Sequence, residues 1–168
     1  MGQFHEILKK RMKKLQFDFN GNMGGISRMF AIPVSSFKRI RRDFTKKLNY
    51  LEVINRDQII DIYFIEGTEH FIEDYENDLY NVQINAIIPK SNKLSQEQLN
   101  KLESEVWYVL FQDNNENIRL AGTEDYQLEF RRTDTTGNIT SRNQISFSFV
   151  GAQDRPTDFI ELTDLDEL

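Results

Sequence analysis

The side chains able to do chemistry are few and scattered. There is no cysteine, so a thiolate nucleophile, a disulfide and a cysteine-based zinc site are all excluded. The two histidines, His5 and His70, lie far apart and do not make a metal site. His70 stands in an acidic run of Glu66, Glu69, Glu73, Asp74, Glu76 and Asp78. A calcium loop needs oxygen ligands at alternate positions closed by a glycine, and this run has no such order. We read it as a solvated loop, or as strands with an acidic outer face. Asn20-Gly21-Asn22-Met23-Gly24-Gly25 is rich in glycine, but it lacks the spacing of a phosphate loop and leads into a strand rather than a helix. Lys38, Arg39, Arg41, Arg42, Lys46 and Lys47 are numerous enough to grip phosphates. No stacking platform or recognised nucleic-acid module accompanies them, so we read a subunit contact or a solvated loop. Trp107 and Tyr108 are the candidates for stacking on a sugar or peptide, and strand alternation turns only one of them inward. No nucleophile–base pair or pair of catalytic acids emerges. The residues therefore predict no catalytic site, no metal and no cofactor, and leave function to surfaces and assembly.

Charge is distributed unevenly. The 168 residues carry a net −6, but residues 1–50 hold 12 basic and 3 acidic side chains, a balance of +9, against −15 for the remainder. Either the two segments neutralise each other within one fold, or they meet across copies of the chain. Thirteen phenylalanines are ample for one core in a chain of this length. Residues 1–20 lack an apolar h-region, no apolar run reaches membrane-spanning length, and Glu6 breaks a myristoylation motif. These features predict no secretory signal and no membrane partner.

The elements that must position these side chains centre on Leu79–Gly122. Tyr80, Val82, Ile84, Ala86 and Ile88 alternate with Asn81, Gln83 and Asn85, which predicts a strand with one apolar and one amide face ending at Pro89. Ser95 with Gln98 forms a capping box, Leu94 can staple against Leu99, and Leu99, Leu102 and Val106 make an inward helical stripe. Trp107–Gln112 returns as a strand, 113–117 turns, and Ile118–Ala121 runs back. Upstream, Phe4–Phe17 predicts a basic amphipathic helix bearing Phe4, Ile7, Leu8, Met12 and Leu15. It suits an anionic membrane or nucleic acid less well than docking on the domain or a neighbour. Ile26–Val34 alternates with Ile26, Phe30, Ile32 and Val34 on one side, and Tyr50–Val53 and Ile59–Ile65 read as strands around a turn at 55–58. Downstream, Tyr126–Arg131 and Ile145–Phe149 form a hairpin pair, with a turn at 134–141 and a strand end at Gly151. Asn138-Ile139-Thr140 is a formal sequon without meaning in the absence of secretion. The acidic end carries Phe159, Ile160, Leu162, Leu165 and Leu168, a pattern that predicts docking. The expected fold is mainly β with one packed helix (α+β), a small antiparallel β-barrel or sandwich with an N-terminal helix and extended loops. We divide it into a basic helical arm at 1–20, a β-domain at 21–152 and an acidic tail at 153–168.

The order of these segments resembles the tail tube proteins of tailed bacteriophages and, more loosely, tail completion and terminator proteins. The resemblance is carried by Gly24-Gly25-Ile26, Tyr80–Ile84 with Ile88-Pro89-Lys90, the 95–106 helix, Trp107–Asn114, Arg119–Thr123, Thr136-Gly137 and Phe147–Gly151. It implies a structural virion protein in the tail, assembled in the bacterial host cytoplasm. Copies would form rings, hexameric in that family, that stack head to tail or cap a tube. Sheath, baseplate or terminator proteins would be partners, and DNA only passing cargo. The runner-up roles are a terminator, completion or baseplate-adaptor protein, and a β-sandwich module binding carbohydrate or peptide. Heterologous contacts need unlike surfaces. On that basis Lys38, Arg39, Arg41 and Arg42 are expected to face Glu73, Asp74 and Glu76 of a neighbour, with Phe159, Ile160 and Leu162 as apolar anchors.

Overall fold

The computed structural model describes residues 24–89, 93–135 and 144–161. The expected N-terminal helix, the glycine-rich stretch up to Met23, the tip of the last hairpin with its sequon, and Leu162 onward lie outside the described residues.

The strand Val106–Asp113 (β7) is the axis of the structure. Its run of Trp, Tyr, Val, Leu and Phe does not alternate in polarity, the mark of a strand covered on both faces. Five consecutive residues, Trp107 to Phe111, are buried. Along one edge β7 pairs with Ile26–Pro33 (β1), with Met29 opposite Phe111 and Ile32 opposite Tyr108. Its other edge is shared. Ile118–Ala121 (β8) takes the later half, with Val109 opposite Ala121, and Leu128–Thr135 (β9) takes the start, with Trp107 opposite Leu128. At that shared edge the nine-stranded sheet divides. One half comprises Ile60–Asp61 (β4), β1, β7, β8 and Asp158–Phe159 (β11). The other comprises β9, Gln144–Gln153 (β10), Leu79–Ile88 (β6) and His70–Glu76 (β5).

The main core fills the space between the halves. Met29, Ala31, Val109 and Phe111 meet Val82, Ile84, Phe130, Phe147 and Phe149 there. The helix Lys93–Ser104 (α1) packs against β9 and adds Leu99 and Leu102. A separate hairpin of Phe37–Asp43 (β2) and Leu48–Val53 (β3) covers the opposite face of β1, β7 and β8. Phe30, Ile32, Tyr108, Leu110 and Leu120 meet Leu51, Phe37 and Ile40 in this second core. The protein is thus mainly β with one packed helix. Its pairings are antiparallel and its two half-sheets form a sandwich, not a closed barrel.

Several expectations shift. Residues 37–43 are a strand rather than a loop. The apolar Phe37 and Ile40 are three apart, which hides alternation, but a bulge at Lys38 turns both toward the second core. A bulge at Ser27 likewise places Ile26 with Met29 in the main core, away from Phe30 and Ile32, and leaves Val34 exposed. The helix begins at Lys93, so Ser95 lies inside its first turn rather than at the expected N-cap position. Val106 belongs to β7 and is half-exposed, because the helix ends at Ser104. Tyr126 precedes β9, in a turn where its carbonyl accepts from the Thr123 amide. Gly151 lies within β10, which continues to Gln153. The acidic end does not begin as a separate tail. Asp158 and Phe159 pair with β8, and Ile160 is buried in the second core.

Candidate functional site

Three surfaces gather the residues singled out by sequence. The first is the outer face of the β9–β10–β6–β5 half. Period-2 alternation sends Val82, Ile84 and Ala86 into the core and Asn81, Gln83 and Asn85 outward. Register lines these up in rungs. One runs Arg131, Ser148, Asn85, His70, and the next Glu129, Val150, Gln83, Ile72. Asp74, Asn81 and Ala152 form a third. Side chains bond across and along the rungs. Gln83 donates to Asn85 at 2.8 Å, the Asn85 amide meets His70 Nε2 at 2.9 Å, and Arg131 pairs with Glu129 at 3.0 Å. Two shallow depressions open on this face, and no described element covers it. The acidic segment is therefore in part a strand, with Asp74 and Glu76 exposed.

The second surface is the β2–β3 hairpin. Four of its cations, Lys38, Arg39, Arg41 and Arg42, are used within the chain. Lys38, Arg39 and Arg41 converge on the single carboxylate of Glu52, at 3.4, 2.9 and 3.4 Å. The Arg39 hydrogen bond leads the effects that hold the Glu52 carboxyl below its ordinary range. Arg41 also lies over the Tyr50 ring, and Arg42 reaches Asp158 at 3.6 Å. Lys46 and Lys47 remain exposed in the connecting turn.

The third lies where the two half-sheets face each other away from β7. Glu73, expected to contact another copy, points inward. Its carboxylate lies 3.7 Å from Arg119 and accepts the Thr157 amide at 2.7 Å. Arg119 also donates to Thr157 Oγ1 at 2.6 Å, and its guanidinium stacks between the rings of Phe71 and Phe159. Burial lowers the Arg119 pKa, and the Glu73 charge opposes that shift. Phe159 is thus half-occupied by a contact within the chain, and Ile160 wholly so.

Trp107 and Tyr108 are not stacking platforms. Both are buried because both faces of β7 are covered, so alternation exposes neither. Trp107 Nε1 donates to the Leu102 carbonyl at 2.9 Å, and Tyr108 stacks on Phe37 at 4.0 Å. Among the described residues no three acidic or histidine side chains gather as metal ligands, and no helix is long and apolar enough to cross a membrane.

Sequence reasoning passed over Arg119 and Glu52. Alternation held the signal for Arg119: Ile118 and Leu120 face one core, so Arg119 and Ala121 must face the other. Glu52 becomes visible only once residues 37–43 are read as a strand pairing with it.

No protein-family model, curated protein or solved structure matches this chain.

Proposed function

We propose that this protein is a structural subunit that associates with copies of itself through unlike surfaces into rings. In our reading the rings stack head to tail as in a phage tail tube. The observation that carries this reading is the uncovered outer face of the β9–β10–β6–β5 half. Its rungs of Asn81, Gln83, Asn85, Ser146 and Ser148 are amides and hydroxyls, with few of the lysines and glutamates that usually coat a solvated sheet. Such a face is suited to lining confined water or to meeting another polar surface, since each group can both give and take hydrogen bonds. It also offers little positive charge to hold a passing polyanion. The fold is in keeping with this reading, because Glu52 with its three cations and Arg119 with Glu73 join strands to one another.

Sedimentation velocity of the full chain across concentrations, followed by negative-stain imaging, tests this. Rings, or tubes of rings, are the expected outcome. Rings that never stack would favour a terminator, completion or adaptor role at one end of a tube. A single 19.9 kDa species at every concentration would overturn the self-assembly reading.

A further inference from the structure

We infer that the tip of the β2–β3 hairpin inserts into the acidic hollow beside the end of α1 on a second copy of this chain. This rests on the self-association proposed above and names the two surfaces that meet.

Phe44 stands at the hairpin tip with 85% of its surface exposed, more than any other large apolar side chain described. The turn is held in shape for presenting it. Asp43 Oδ1 accepts from the Thr45 and Lys46 amides, each at 3.0 Å, and Lys47 adopts a left-handed φ of 57°. That bond occupies the one carboxylate in the turn, and Lys46 and Lys47 follow Phe44 in the same turn, both exposed. The tip is therefore an apolar knob beside two lysines, at the end of a two-stranded hairpin.

The receiving surface has the opposite character. A hollow of about 670 Å³ is lined by the apolar Val34, Val106 and Phe130 and by the acidic Glu103, Glu105 and Glu129. Val34 and Val106 are 45% and 39% exposed, so its apolar lining lacks full cover. Arg132 holds Glu103 and Arg131 holds Glu129, each at about 3 Å, but Glu105 is exposed and meets no such cation among the described residues. The hollow also opens at the C-terminus of α1, where the helix dipole is negative. Acids at a helix C-terminus repel that dipole, and an arriving lysine relieves the repulsion. Apolar lining, acids and dipole all match Phe44 with Lys46 and Lys47 following it in the turn.

The two surfaces sit at opposite ends of one hairpin. Val34 and Ser35 lead into the base of β2, and the tip follows seven residues later, roughly 23 Å away at strand rise. A knob at one end and a socket at the other make a heterologous contact that can repeat from copy to copy.

Sedimentation equilibrium of the full chain, wild type against Phe44→Ser, tests the contact. Phe44 is exposed, so the variant keeps its fold, checked by circular dichroism. A weakening of association by roughly 30-fold is expected, as for a central interface anchor. Lys46→Glu and Glu105→Lys should each weaken association, and the double variant should recover most of it. Wild-type association that Phe44→Ser and both charge reversals leave unchanged would overturn this contact and leave self-assembly standing. A wild-type monomer at every concentration would overturn both.

Discussion

Arg119 and Glu73 face each other at 3.7 Å across the side of the sandwich where no described strand of one half pairs with the other. Among the described strands the two halves pair only through β7 and β9. Opposite that seam, a guanidinium from β8 and a carboxylate from β5 do the joining. Both side chains are largely buried, at 21% and 14% exposure. Removing one partner strands the other's charge, which is worse than removing both. Glu73→Ala is expected to lower stability by about 2–4 kcal/mol. Arg119→Met combined with Glu73→Leu should lose much less. Urea denaturation of the single and double variants measures the difference, and equal losses would show that the pair does not close the sandwich.

The helix supplies a second contrast. Leu102 is 2% exposed in the main core, and Leu102→Ala should cost about 2–5 kcal/mol through lost contact and a residual cavity. Ser95→Ala should not cost the ~1 kcal/mol expected of a lost cap. Ser95 lies inside a helix that begins at Lys93, where alanine is the better helix former, so a gain of a few tenths is expected. Thermal unfolding of the two variants decides whether the helix starts at Lys93 or at Ser95.

Much of this architecture was legible because single-faced strands announce themselves. The order of strand, helix and hairpin over Leu79–Gly122 stands as foretold, although the helix starts at Lys93 and Val106 belongs to β7, and Pro89 follows the last residue of β6. Legibility failed where the period was broken or the covering layer came from elsewhere. Two bulges, at Ser27 and Lys38, shifted the faces of β1 and β2. Trp107 and Tyr108 could not both be placed, because only the hairpin at 37–53 buries the second face of β7. The bipolar charge foretold opposite-sign contacts but not their address. Glu52 and Asp158, not Glu73 or Asp74, receive the hairpin cations.

Gly122 is expected to resist substitution. It follows β8 with φ of 96°, a conformation that L side chains rarely adopt. An added Cβ would lie 3.2 Å from the Tyr108 ring and 3.4 Å from the Trp107 carbonyl oxygen. Its amide donates to the buried Gln153 Oε1 at 2.9 Å, so the backbone cannot turn away without losing that bond. Gly122→Ala should therefore lose about 1–3 kcal/mol by chemical denaturation. A neutral result would mean that the chain relaxes here more easily than its contacts imply.

Acid should weaken the β2–β3 hairpin through Glu52. The Arg39 hydrogen bond, foremost, holds its carboxyl below the usual 4.5 in the folded chain, against the opposing effect of desolvation and with lesser help from Lys38. A depressed carboxylate contributes stability that is fully present above the unfolded value. That contribution is lost as pH falls through the folded value. Glu52 is the shared counter-ion of Lys38, Arg39 and Arg41, so protonating it leaves three cations on one short strand with nothing between them. Glu52→Gln imitates that protonated state at every pH. At pH 7 the variant should melt below wild type, and the gap should be smaller at high salt. As pH falls below 4.5 the wild-type curve should drop toward the variant's until the two meet. Melting temperatures of both proteins from about pH 7 to pH 3 follow this directly. A constant gap across that range would show that Glu52 contributes through packing, and not through its charge.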